Sequence, residues 1–141
     1  MRSILPATAA IMLFVPFASA DPIEDREAIM KERSQILRTL GPIAQGRTPF
    51  DADTVLAALE ELNANAQAHD IEALYPEGSE GGDATAAVWS DREGFIELDA
   101  EYRAAVQAAV AAAPEDQQVF RASFQPIGAS CGTCHETYRA D

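Results

Sequence analysis

Five residues near the C-terminus, Cys131-Gly132-Thr133-Cys134-His135, carry the pattern C-x-x-C-H, the sequence to which a c-type haem is attached. On a helix, Cys131 and Cys134 are i,i+3 neighbours, so both thiols project to one side and reach two vinyl groups of a single porphyrin. His135 follows directly, and its imidazole can rise towards the iron of the ring those thiols hold. The two thioether bonds use both cysteines of the chain. Scattering two cysteines and two histidines through this length would produce the pattern roughly twice in ten thousand trials. A thioredoxin-like redox pair would want a βαβ context. A structural zinc site would want four ligands, and only one further histidine, His69, exists.

The elements that position this motif read as helices. The chain has 141 residues, one domain's length, and 48% of them are apolar, enough for a core. Alanine fills 28 positions, against 22 for Val, Ile and Thr together, a balance that favours helix over strand. The 23 Asp and Glu against 10 Lys and Arg give a net charge of −13, which argues against nucleic acid as a partner.

Four amphipathic segments follow. The first starts with Asp21 as N-cap, Pro22 at the first position and Glu24 three residues on, and runs to about Ala44. Its apolar stripe is Ile23, Met30, Leu37, Leu40 and Ala44. The second starts near Asp53, with Val55, Leu59, Leu62, Ala66 and His69 on one face; His69, at its end, reads as a surface or cap residue. Tyr75 to Asp83 is a glycine-rich loop. Ser90 and Glu93 form a capping box for the third helix, whose stripe is Phe95, Leu98, Tyr102, Ala105 and Ala109. The fourth helix, about Glu115 to Arg139, has the stripe Phe120, Phe124, Ile127, Cys131, Cys134 and Tyr138. Pro126 removes one helix hydrogen bond and is expected to kink or interrupt it before the cysteines. Four helices with short links and no strand signal predict an all-α, antiparallel four-helix bundle over residues 21–141.

Residues 1–20 read as an address. Arg2 is a short positive region, Ile4 to Phe17 is mostly apolar, and Ala18-Ser19-Ala20 supplies small residues for a signal peptidase. The apolar run falls short of the roughly 20 residues that span a bilayer. Cleavage after Ala20 predicts an exported, periplasmic protein with no membrane span after processing, and the periplasm is a compartment where haem attachment takes place.

The processed chain resembles the class II cytochromes c, that is, cytochrome c′ and its low-spin relative cytochrome c-556. The resemblance rests on Arg26-x-x-x-Met30 in the first helix, on Gly81-Gly82-Asp83 followed by Trp89, and on the C-terminal Gly128-Ala129-Ser130-Cys131-x-x-Cys134-His135-x-x-Tyr138-Arg139. A haem motif at the C-terminal end is itself telling, since class I cytochromes c carry theirs near the N-terminus. The resemblance implies one haem c, attached covalently to Cys131 and Cys134, with His135 as the proximal iron ligand. It places Met30 on the opposite, distal side, Arg26 against a haem propionate, and Arg139 over the solvent side of His135. Tyr138, on the haem-helix stripe, is expected to contact the ring edge. It also implies redox partner proteins, for which the acidic surface suggests a basic docking face, and pairing into a homodimer through the first two helices.

Met30 has two readings. Bonded to the iron, its soft thioether favours the ferrous state and raises the reduction potential, as in an outer-sphere electron carrier. Unbonded, it roofs a five-coordinate iron in a dry pocket open to NO or CO. No pair of carboxylates has catalytic spacing, and the chain reads as a carrier rather than an enzyme. Trp89 reads as packing beside the loop.

Overall fold

A computed structural model of the protein describes residues 21–140. The expected export signal, residues 1–20, lies outside the described residues, as does Asp141. The helices are α1 (Pro22–Ala44), α2 (Ala52–Ala68), α3 (Ile71–Leu74), α4 (Ala87–Ser90), α5 (Arg92–Ala112) and α6 (Gln117–Tyr138). The four long ones form the expected antiparallel bundle. Among the described residues the one β-type pairing is an isolated antiparallel bridge between Ala84 and Arg139, and no helix is long and apolar enough to cross a membrane.

Local chemistry explains most of the boundaries. Asp21, Asp51 and Asp116 each turn a carboxylate onto free N–H groups of the first turn of α1, α2 and α6. The last carbonyls of α1 are covered from α6: Gln117 donates to the Ile43 carbonyl and Arg121 to that of Ala44. Two expectations need correction. Ser90–Glu93 does not cap α5; the N-cap is Asp91, and it makes no side-chain cap bond. Pro126 does not interrupt α6, which runs through it to Tyr138. Packing on both sides of the proline, by Phe120 and by Ile127, both fully buried, outweighs the loss of one backbone hydrogen bond.

The core falls into two parts. The larger joins Leu40 of α1, Val55, Leu59 and Leu62 of α2, Val106 of α5 and Phe120 and Ile127 of α6. Each such buried side chain contributes about 1.5–3 kcal/mol. The smaller gathers Ile71, Leu74, Tyr75, Val88, Phe95 and Tyr138 at the end of the bundle that holds the loop. Cys131 packs against the first part and Cys134 against the second. α5 packs closely on α6 and α2, whereas α1 meets α6 only sparingly, and a cavity opens between those two helices.

Candidate haem site

The cavity has a volume of about 450 Å³, within the range of cofactor pockets. Its walls bring together all seven site residues expected from the sequence: Arg26 and Met30 from α1, and Cys131, Cys134, His135, Tyr138 and Arg139 from α6 and its C-cap. Met30 and Cys131, 101 positions apart in the chain, thus face one space because the first and last helices line the same cavity. Both thiols are free. Burial pushes their pKa values up, with the Arg33 guanidinium pulling in the other direction. Burial, then Arg139 and Arg33, hold the His135 imidazole below its ordinary pKa, which favours the neutral ring a metal needs. The donor set on this wall, two thiols and a neighbouring imidazole in the C-x-x-C-H spacing, suits iron carried in a porphyrin.

The walls are apolar where a macrocycle would lie. Tyr138 and Phe95 meet edge to face at 5.1 Å between centroids, and Phe95 meets Tyr75 at 4.9 Å, spacings typical of aromatic pairs. Tyr138 is buried, and its hydroxyl donates to Asp91. Burial together with that bond pushes its pKa up to about 12.

Arg26 is buried, but its terminal nitrogens are engaged by protein. They donate to the carbonyls of Leu74, Ser79 and Gly81 at 3.3, 3.0 and 2.6 Å. The guanidinium also lies over the rings of Tyr75 and Trp89. Arg26 thereby clamps the loop onto α1. Gly82 completes the close approach: its φ is +56°, and a Cβ there would sit 2.8 Å from Glu27 Oε1 and 2.9 Å from Ile23 Cγ2. Trp89 packs beside that loop as expected, its indole donating to the Pro76 carbonyl.

His69 caps α2 but is not a surface residue; it is 2% exposed. Its Nδ1 pairs with Asp99 at 2.7 Å, and its Nε2 lies 3.2 Å from the Tyr75 hydroxyl. Asp99 and Arg103 on α5 supply the burial that α2 alone does not reveal. Sequence reasoning also missed Arg33 and Tyr102 as cavity residues. Both are buried, and each leaves one polar atom without a partner, Arg33 Nη2 and the Tyr102 hydroxyl. The spacing of Arg33, three residues after Met30, was the available signal.

The comparisons agree with this geometry. Residues 21–139 match the family described as Cytochrome C′. Cytochrome c-556 of Agrobacterium tumefaciens (strain B2A) is 38% identical over 121 residues, covering 85% of this chain and 98% of that one. A solved cytochrome c′ of Rhodobacter superposes with a TM-score of 0.79 at 27% identity, covering 85% and 95% of the two chains. A ferrous cytochrome c prime variant from Alcaligenes xylosoxidans with bound NO gives 0.76 at 30% identity, covering 85% and 94%. The matched span, the bundle and the cavity between its first and last helices have one explanation: the chain belongs to the cytochrome c′ family of class II c-type cytochromes and carries covalently attached haem c.

Proposed function

We propose that this cytochrome is an exported one-electron carrier in which Cys131 and Cys134 form the thioether bonds, His135 is the proximal ligand and Met30 the distal one. The observation that supports this reading is the shared cavity, onto which Met30 opens from α1 and the Cys131–His135 stretch from α6. When bound, the haem supplies the redox couple, its iron alternating between Fe(III) and Fe(II). The chain's own part is to hold, orient and dry that centre. Met30 offers a neutral, soft sulfur that favours the reduced iron and raises the potential. Tyr138 and Phe95 keep water from the ring edge, and Arg139 covers the solvent side of His135. Residues 1–20 act as the cleaved signal, residues 21–141 form the mature domain, and its place is the periplasm. A net charge of −13 suits partners with a basic docking face. The protein is a carrier, with no substrate chemistry of its own.

The similarity to an NO-bound cytochrome c prime favours one second reading, in which Met30 roofs a five-coordinate iron that binds NO or CO. The optical spectrum of the purified protein separates the two. Electron transfer through Met30 requires a low-spin spectrum with a sulfur-to-iron charge-transfer band, and Met30→Leu then lowers the potential and changes the spin state. A high-spin spectrum that shifts on adding CO, and a spin state indifferent to Met30→Leu, would replace it with gas binding.

A further inference from the structure

Arg33 lies one helical turn beyond Met30 on α1 and faces the same cavity. Its Nε donates to Asn65 Oδ1 at 2.9 Å, and its guanidinium sits 4.3 Å over the Tyr102 ring. Asn65 is itself pinned, its amide donating to the Ile29 carbonyl and to Glu32 Oε2. Arg33 is 8% exposed, yet it forms no ion pair; the pairs among the described residues are His69–Asp99, Arg92–Glu72 and Arg103–Asp99. Nη2 has no partner at all. A buried cation with no carboxylate in contact is costly; this one is held at the cavity wall by Asn65 and Tyr102, and the Glu32 carboxylate meets it only through the Asn65 amide.

The position of that charge matters. Arg33 shares the cavity wall with Cys131, Cys134 and His135, and Tyr102, beneath its guanidinium, belongs to the core that Cys131 packs against, which puts the charge on the side of the attachment motif. Reduction adds one electron and removes one positive charge from the iron centre, so a cation nearby opposes the ferric state.

We propose that Arg33 is a potential-setting residue, a buried cation fixed by Asn65 and Tyr102 that raises the reduction potential of this cytochrome. The proposal rests on haem attachment at Cys131 and Cys134, and not on whether Met30 is bonded. The test is a redox titration of the haem-loaded protein and its variants at fixed pH. Arg33→Gln should lower the equilibrium constant for reduction about tenfold, about 59 mV for a one-electron couple. Arg33→Lys, which keeps the charge, should retain most of the potential. Asn65→Asp, which sets a carboxylate against Arg33 while leaving the arginine in place, should lower it as well, a route open even where Arg33→Gln folds poorly. Because the charge is buried, the difference between wild type and Arg33→Gln should persist in high salt, where a surface charge would be screened. Equal potentials for wild type, Arg33→Gln and Asn65→Asp, at matched haem content, would overturn the role of Arg33 alone. A wild-type protein that comes out colourless would instead overturn the attachment on which it rests.

Discussion

The Tyr138 hydroxyl donates to Asp91 Oδ2 at 2.7 Å, tying the last turn of α6 to the N-cap of α5. Asp91 is thereby drawn away from its own helix, which explains why α5 lacks a side-chain cap. Gly94 makes room for the contact: a Cβ there would stand 2.7 Å from both the Tyr138 hydroxyl and Asp91 Oδ2. Glycine inside a helix ordinarily costs stability relative to alanine, and here that relation reverses. Tyr138→Phe should cost about 1.5–3 kcal/mol, the range for a hydrogen bond to a charged group. Gly94→Ala should also destabilise, and the two costs should fall short of adding, because both break one contact. Denaturant midpoints of the two single variants and the double variant measure this; a Gly94→Ala protein more stable than wild type would contradict it.

Asp99 gives the stability of the bundle a pH dependence. Burial pushes its carboxyl pKa up, but hydrogen bonds from His69 and Arg103, with their charges, more than offset this and hold it below the ordinary 3.8. The folded value is depressed, so the contribution is fully present above the unfolded pKa and is lost as pH falls through the folded one. Stability should therefore drop on acidification below about pH 4. Asp99→Asn should remove that component and cost about 3 kcal/mol near neutrality by breaking a buried pair. Urea melts at a series of pH values test it, and an Asn variant whose acid limb matches wild type would refute it.

Much of the fold is legible in the sequence because its signals are local. Asp21 before Pro22, the Val55–Leu59–Leu62–Ala66 face and the glycines after Tyr75 each act within a few residues, and the structure follows them. The C-x-x-C-H stretch is legible for the same reason, since its spacing is itself the chemistry. What stays hidden depends on partners far along the chain. His69 reads as a polar helix end until Asp99, thirty residues on, covers it. Ser90 has a better local capping pattern than Asp91, but the helix starts at Asp91, whose carboxylate is taken by Tyr138, 47 residues along. Arg33 reads as one more charge on a mixed helix, because neither Asn65 nor Tyr102 can be placed beside it without the bundle.

The surface charge makes a kinetic prediction. At a net charge of −13, encounter with a cationic reagent is accelerated and encounter with an anionic one is slowed. Raising ionic strength from 0.01 to 0.15 M shortens the screening length from about 30 to about 8 Å. Second-order reduction by a positively charged reagent should therefore slow, and reduction by a negatively charged one should quicken. Stopped-flow traces at the haem absorption band give both rates. Equal salt dependence for the two reagents would mean that electrons enter through a patch the overall charge does not govern.

Arg26 offers the sharpest contrast between what the family resemblance implies and what the bundle shows. The resemblance gives it a propionate, while in the structure its Nη1 and Nη2 serve the carbonyls of Leu74, Ser79 and Gly81. A loop held by one guanidinium depends on a planar fork that a lysine cannot reproduce. Arg26→Lys retains the charge but should lose at least two of the three carbonyl contacts, at about 1 kcal/mol or more each. Arg26 makes the side-chain hydrogen bonds from α1 to this stretch, so the loss should appear there first: amide exchange across residues 75–83 should quicken while that of α2 and α5 is unchanged. If the propionate is instead its main partner, Arg26→Lys should leave loop exchange as it is and shift the reduction potential. Measuring both quantities on one variant therefore assigns the residue, because each role moves a different observable.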